Sequence, residues 1–150
     1  MNKETIAIAC DHAGFQLKSW VKQQLQARGY HILDLGANSE ESVDYPDFGY
    51  ALGEAITRGE ATRGIAICGS GIGISIAANR FPAVRAALCG DGLSARLARQ
   101  HNDANVLALG ARLIGEETAK DCLDAFLNTD FEGGRHERRV AKLGRELVSG

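Results

Sequence analysis

The sequence has no long apolar run, no excess of either charge and no paired cysteines, and each absence removes a class of function. Across its 150 residues no stretch approaches the length of a membrane-crossing helix, which needs ~18 consecutive apolar residues. Thr5-Ile6-Ala7-Ile8-Ala9-Cys10 follows the N-terminus with no signal-peptide pattern, so the expected location is the cytoplasm. Lys and Arg number 17 against 19 Asp and Glu, a net charge of −2. A chain without a basic surplus has no electrostatic footprint for nucleic acid or an anionic membrane. Cys10, Cys68, Cys89 and Cys122 form no C-x-x-C pair and no Cys/His cluster at metal spacing. Neither a metal site nor a disulfide framework is therefore expected. No internal repeat, low-complexity segment or linker divides the chain, and residues 1–150 fit one domain. A domain of that size buries roughly 70% of the surface its unfolded chain exposes.

The most informative stretch is Gly64-Ile65-Ala66-Ile67-Cys68-Gly69-Ser70-Gly71-Ile72-Gly73 and the segment after it, through Arg80. It reads as a buried strand, a glycine loop and a helix start. Glycines let successive N–H groups point into one concavity, and a helix N-terminus adds partial positive charge, so such a loop suits an anion. Cys68 stands where the strand ends. A thiol beside a helix N-terminus is one whose thiolate is favoured; the plainer reading of the same residue is a small buried hydrophobe.

In chain order, residues 5 to 10 form a first strand and Asp11-His12-Ala13-Gly14 the turn after it. Leu17, Trp20, Val21 and Leu25 share one helical face, which Gly29 ends. Tyr30 to Leu35 supply a second strand, and Gly36 to Pro46 form the longest irregular connection, of the kind that often touches ligands. Phe48, Ala51, Leu52, Ala55 and Ile56 mark a helix ahead of the central strand. Val84 to Cys89 and Asn105 to Leu109 are further strands, separated by a helix through Leu93 and Leu97 that ends near His101-Asn102. Ile114, Ala119, Cys122, Leu123 and Phe126 mark the next helix, and Val140, Leu143 and Leu147 a last one after Gly133-Gly134. The expected fold is a three-layer α/β/α, Rossmann-like domain with a mostly parallel five-stranded sheet. Thr129 to Gly134 would let the C-terminal helix reach a neighbouring subunit.

Ligands of open α/β sheets bind beyond the carboxyl ends of the strands. Asp11 and His12 follow the first strand, Cys68 to Gly73 the third, and Arg112 the fifth, so all can meet in one crevice. His101 ends a helix running back toward the opposite edge. A second subunit is therefore expected to bring His101 and Asn102 to the site, making a dimer with shared active sites. Arg135 and Arg139, one helical turn apart, can grip one phosphate, whereas Arg138 points elsewhere as a solvated charge and His31 reads as a strand-surface residue.

Several of these features have competing readings. Asp11 suits a helix cap as well as catalysis, and His101 can simply offset the negative end of a helix dipole. The glycine loop lacks the Lys-Ser/Thr of a P-loop, and Ile74 stands where G-x-G-x-x-G needs its third glycine. Asp91, 18 residues beyond Gly73, sits where a ribose-binding carboxylate would in a nucleotide-binding module. A tight packing turn with no ligand, in an oligomeric scaffold, is a third reading.

Taken together, Cys10-Asp11-His12-Ala13-Gly14, Asp44-Tyr45-Pro46, Cys68-Gly69-Ser70-Gly71-Ile72-Gly73-Ile74-Ser75-Ile76-Ala77-Ala78-Asn79, Arg99-Gln100-His101-Asn102-Asp103-Ala104-Asn105-Val106-Leu107 and Gly133-Gly134-Arg135-His136 carry a resemblance. The chain resembles the type B ribose-5-phosphate isomerases, whose family also holds galactose-6-phosphate isomerase subunits. The resemblance implies interconversion of ribose 5-phosphate and ribulose 5-phosphate in the non-oxidative pentose phosphate pathway, without metal or organic cofactor. It implies Cys68 as the base that moves a proton between C2 and C1 through a cis-enediolate. The amides of Gly69, Gly71, Ile72 and Gly73 would hold that enediolate, and Ser70, where many relatives have Thr, would serve its oxygens. It further implies His101 and Asp11 in opening the furanose ring. His12, Arg112, Arg135 and Arg139 would be phosphate ligands, with Asn102 and Tyr45 lining the sugar site of a homodimer, itself open to pairing into a tetramer. Relatives acting on six-carbon sugar phosphates leave the sugar's length open.

Overall fold

The computed structural model describes residues 4–145 and Leu147. Five parallel strands, β1 (Thr5–Cys10), β2 (His31–Asp34), β3 (Arg63–Cys68), β4 (Ala86–Leu88) and β5 (Val106–Gly110), form one sheet in the order β2-β1-β3-β5-β4. The helices are α1 (Phe15–Ala27), α2 (Tyr45–Thr57), α3 (Ile72–Ala78), α4 (Gly92–Asn102), α5 (Glu116–Asn128) and α6 (Arg135–Leu143). This is the α/β/α fold that alternating strand and helix patterns predict, with every sheet pairing parallel. Among the described residues no helix is long and apolar enough to cross a membrane.

Alternation along each strand divides the core into two layers of different composition. Ile6, Ile8, Ile65, Ile67, Leu107 and Leu109 face one side, packed with Val21 and Leu25 of α1, Ala95 of α4 and Leu123 and Phe126 of α5. Each of the isoleucine, leucine, valine and phenylalanine side chains among them, fully removed from water, contributes roughly 1.5–3 kcal/mol. The other side carries mainly small residues, Ala7, Ala9, Ala66, Cys68 and Ala108, under Leu52 and Ile56 of α2 and Ile74 and Ala78 of α3. Small side chains let α2 and α3 lie close to the strand ends, where Cys68 sits.

Several boundaries differ from the sequence pattern for local reasons. Tyr45 and Pro46 belong to the first turn of α2 rather than to the preceding loop, because proline at a helix start gives up only an N–H that has no intrahelical partner. Strand β4 keeps Ala86–Leu88 alone, and Val84 is instead held in a turn by its amide hydrogen bond to Phe81. Ile114 precedes α5, which begins at Glu116, and α6 ends at Leu143, so Leu147 lies beyond it.

The irregular segment after β2 is pinned at both ends. The Cys10 amide donates to the Gly36 carbonyl at 2.7 Å, and the Cys10 carbonyl accepts the Ala37 amide at 2.8 Å. Lys18, 1% exposed, donates to Asp34 Oδ1 at 2.7 Å and to the Ala37 carbonyl at 2.6 Å. Lys22 donates to Asp34 Oδ2 at 2.7 Å. Burial acts to raise the Asp34 carboxyl, but hydrogen bonds from Lys18, Lys22 and the Gly36 amide outweigh it and hold the group below its ordinary value. At the far end the Val43 amide donates to His12 Nδ1 at 3.1 Å.

Candidate active site

The strand order places a topological switch between β1 and β3, where the chain, having stepped out to β2, returns across β1. Cys68 ends β3 at this point and Asp11 directly follows β1. The Asp11 amide donates to the Ile67 carbonyl at 3.2 Å, tying the two strand ends together. Asp11 Oδ1 accepts the Gly14 amide at 3.1 Å, so the carboxylate caps the short turn His12–Gly14. It also faces an open cleft of ≈ 530 Å³ lined by Tyr45, Cys68, Gly69, Ser70, Ile72, Gly73 and Arg112. Cap and cleft wall are one residue.

Cys68 is 4% exposed, and its sulfur accepts the Gly71 amide at 3.1 Å. That donor points at sulfur because Gly71 turns the chain with φ +79°. A Cβ there would stand 2.8 Å from the Leu109 carbonyl carbon and 2.6 Å from Leu88 Cδ1, so position and conformation both require glycine. Ser70 Oγ accepts the Ile72 amide at 3.1 Å, leaving its O–H free to donate. The Gly69, Ser70 and Gly73 amides have no acceptor among the described residues. Over Gly73 lies the ring of Tyr45, whose Cε1 would be 2.5 Å from an added Cβ. The Arg112 amide donates to the Gly69 carbonyl at 2.9 Å, and its guanidinium covers Gly69. The other thiols have different surroundings: burial pushes Cys10 up to about 11, Cys89 to about 12 and Cys122 to about 11.

A second cleft of ≈ 520 Å³ shares Arg112 and adds His12, Gln16, Glu40 and Gly115. Because His12 Nδ1 accepts from Val43, the neutral ring carries its proton on Nε2. Gln16 Nε2 donates to Glu40 Oε1 at 2.7 Å. Sequence reasoning missed both residues, since Glu40 lies in a segment without periodicity.

His101 and Asn102, at the end of α4, line neither cleft. Asn102 instead borders a groove with Arg85, Ala86 and Ala104, where β4 and β5 begin. Arg135, Arg138 and Arg139 are exposed on α6, and His31 is exposed on β2. Asp91 Oδ1 accepts the Ser94 amide at 2.7 Å and caps α4, a local role that accounts for this carboxylate without a nucleotide. His136 stands in the sequence only as part of the Gly133-Gly134-Arg135-His136 motif, with no role assigned to it, yet its ring stacks on that of His101, centroids 4.5 Å apart and planes 13° apart. The i, i+4, i+7 stripe of His136, Val140 and Leu143 was the available signal.

The family described as Ribose/Galactose Isomerase matches residues 6–143. The chain belongs to the ribose/galactose isomerase family. It is 50% identical over 138 residues to Escherichia coli ribose-5-phosphate isomerase B, covering 92% of this chain and 93% of that protein. A Pectobacterium atrosepticum relative, D-erythrulose-4-phosphate isomerase, is 44% identical over 93% of both chains. Among solved structures, Clostridium thermocellum ribose-5-phosphate isomerase B superposes with a TM-score of 0.92 at 51% identity, covering 93% of this chain and 95% of that one. Mycoplasma genitalium ribose-5-phosphate isomerase B, with bound ribulose 5-phosphate, gives 0.89 at 39% identity over 95% of both. This member of the ribose/galactose isomerase family is an aldose–ketose isomerase of sugar phosphates.

Proposed function

We propose that this isomerase interconverts D-ribose 5-phosphate and D-ribulose 5-phosphate through a cis-enediolate, a step of the non-oxidative pentose phosphate pathway. The observation that carries the reading is the Cys68 sulfur beneath a cleft, accepting the Gly71 amide at 3.1 Å. An N–H donor stabilises negative charge on its acceptor, as a sulfur acting as base requires. Cys68 removes the C2 proton of the open-chain aldose and returns it at C1. Of the four amides expected at the enediolate, those of Gly71 and Ile72 are taken by Cys68 Sγ and Ser70 Oγ, so the charge that develops on its oxygens meets the Gly69, Ser70 and Gly73 amides, with the Ser70 hydroxyl donating alongside them. Tyr45 walls the sugar site.

Phosphate is held by Arg112 with the Nε2–H of His12, where the two clefts join. Arg135, Arg139 and Asn102 complete the site from a second subunit, and that subunit's His101 moves the ring-opening proton with Asp11 opposite. Two features support a homodimer with shared sites: His101 lies outside the cleft of its own chain, and Ile76 and Leu113 at the cleft rim are 60% and 68% exposed, an unusual place for large apolar side chains unless another surface covers them.

A different sugar length is the second reading. The relative named for D-erythrulose 4-phosphate supports a four-carbon substrate, and the family's galactose branch a six-carbon one. A pocket discriminates one methylene by only ~1–3 kcal/mol.

An NMR time course in D₂O with ribose 5-phosphate, D-erythrulose 4-phosphate and allose 6-phosphate at equal concentration tests the reading. Ribulose 5-phosphate forming fastest, with deuterium at C1, is the expected result. Faster turnover of another sugar reassigns the substrate, and no conversion of any of the three overturns the reading.

A further inference from the structure

We infer that His101, Glu132 and His136 form a reversible binding site for a divalent transition-metal ion, with zinc the best match, and that an ion bound there withdraws His101 from proton transfer. One ligand atom from each of the three lies within 4.8 Å of the other two. His136 Nε2 and Glu132 Oε1 are 3.5 Å apart, close to the ligand–ligand edge of roughly 3.4 Å in a tetrahedral zinc site with bonds of about 2.1 Å. Two imidazoles and a carboxylate are a donor set for zinc, nickel or copper rather than magnesium or calcium.

The second observation is the state of His136 itself. Its side chain is 9% exposed, and Nε2 is buried with no hydrogen-bond partner among the described residues. Buried ring nitrogens normally have a partner, and here the orphan faces the Glu132 carboxylate. The backbone pre-positions the set: the Glu132 amide donates to the Gln100 carbonyl at 3.1 Å, and the His136 amide to the Gly133 carbonyl at 3.0 Å.

Two features make this a reversible site rather than a structural one. Arg135 and Arg139 place positive charge nearby, which opposes a cation. The rings of His101 and His136 are stacked almost parallel, so their lone pairs do not converge. Binding therefore requires His101 to turn out of the stack, and Glu132, 47% exposed in its side chain, follows the ion.

Inhibition by the ion rests on the isomerase reading above; binding does not. The test is calorimetry of the EDTA-stripped full chain with zinc chloride, beside Glu132→Gln, His136→Gln and Cys68→Ala. We expect one ion per chain, affinity lowered ~10-fold or more in the first two variants, and unchanged binding in Cys68→Ala. Zinc should also slow sugar-phosphate turnover in the unaltered enzyme, and Glu132→Gln, active without metal, should need ~10-fold more zinc for equal inhibition. Equal affinity in Glu132→Gln and the unaltered chain, binding abolished by Cys68→Ala, or no measurable binding would each overturn the site. A chain that binds zinc as expected but turns over no sugar phosphate would keep the site and remove the isomerase reading alone. Should His136→Gln fail to fold, Glu132→Gln at the exposed ligand still decides.

Discussion

The Gly71 amide sits 3.1 Å from the Cys68 sulfur and donates to it, so one glycine in a left-handed conformation determines where the thiol's charge is stabilised. Replacing Cys68 by alanine removes the base but leaves the loop amides and phosphate ligands. Turnover should fall by about 10³-fold, while the thermal shift produced by ribose 5-phosphate persists. A kcat within about tenfold of the parent enzyme would assign the base elsewhere.

Burial holds Cys10, Cys89 and Cys122 at about 11, 12 and 11, and at neutral pH these remain thiols. Cys68 lines the open cleft and its sulfur accepts the Gly71 amide, so iodoacetamide should modify it first, as read by peptide mass spectrometry, and bound sugar phosphate should slow that reaction. Even labelling of all four thiols would contradict a distinct role for Cys68.

The contact between Tyr45 and Gly73 gives a third test. An alanine methyl at 73 would stand 2.5 Å from the Tyr45 ring and push it off the loop. Gly73→Ala should raise KM about tenfold with little loss of stability, since Tyr45 is 43% exposed and can move. In Tyr45→Ala the same change should have a smaller effect, so a double-mutant cycle would show coupling; strict additivity would mean that the ring and the loop act independently.

Lys18→Met leaves Asp34 with Lys22 and the Gly36 amide and strips the Ala37 carbonyl of its buried donor. Urea unfolding should register a loss of about 3 kcal/mol. The sign with pH follows from Asp34, whose folded value lies below its ordinary 3.8. Its contribution is complete above the ordinary value and lost as pH falls through the lowered folded one. The variant's stability should therefore vary less with pH over that acid range than the parent's; an equal slope would remove Asp34 from the acid sensitivity.

Shared active sites can be tested by mixing. Cys68→Ala and His101→Asn are each expected to be inactive alone. After subunit exchange in equal amounts, half the dimers are mixed and each holds one intact site, so activity should return to about a quarter of the parent's. No recovery, despite exchange measured by mass spectrometry, would mean that both residues serve the same chain's site.

The strand and helix sequence was legible because each apolar run has an unambiguous period: Ile6 and Ile8 against Ala7 and Ala9, or Leu107 and Leu109 against Val106 and Ala108. Strand order was not, since nothing local to β4 or β5 states that β5 lies inside and β4 at the edge. At the site, Cys68 and the glycine loop are adjacent in sequence and could be read together. Glu40 meets Gln16 through a chain reversal, and His136 meets His101 through the packing of two helices; neither pairing has a spacing to betray it. Tyr45 was legible as a residue but not as part of α2, because the proline beside it signals loop and helix start equally.

The segment from 38 to 42 is fastened at Gly36 and Ala37 on one side and at Val43 on the other, and its own residues are exposed. Its composition is thereby uncoupled from the folding of the sheet. Sequence drift there reshapes the wall of the His12 cleft through Glu40 while leaving Cys68 and its loop untouched. Selection can thus revise which ligand fits without renegotiating how the proton moves.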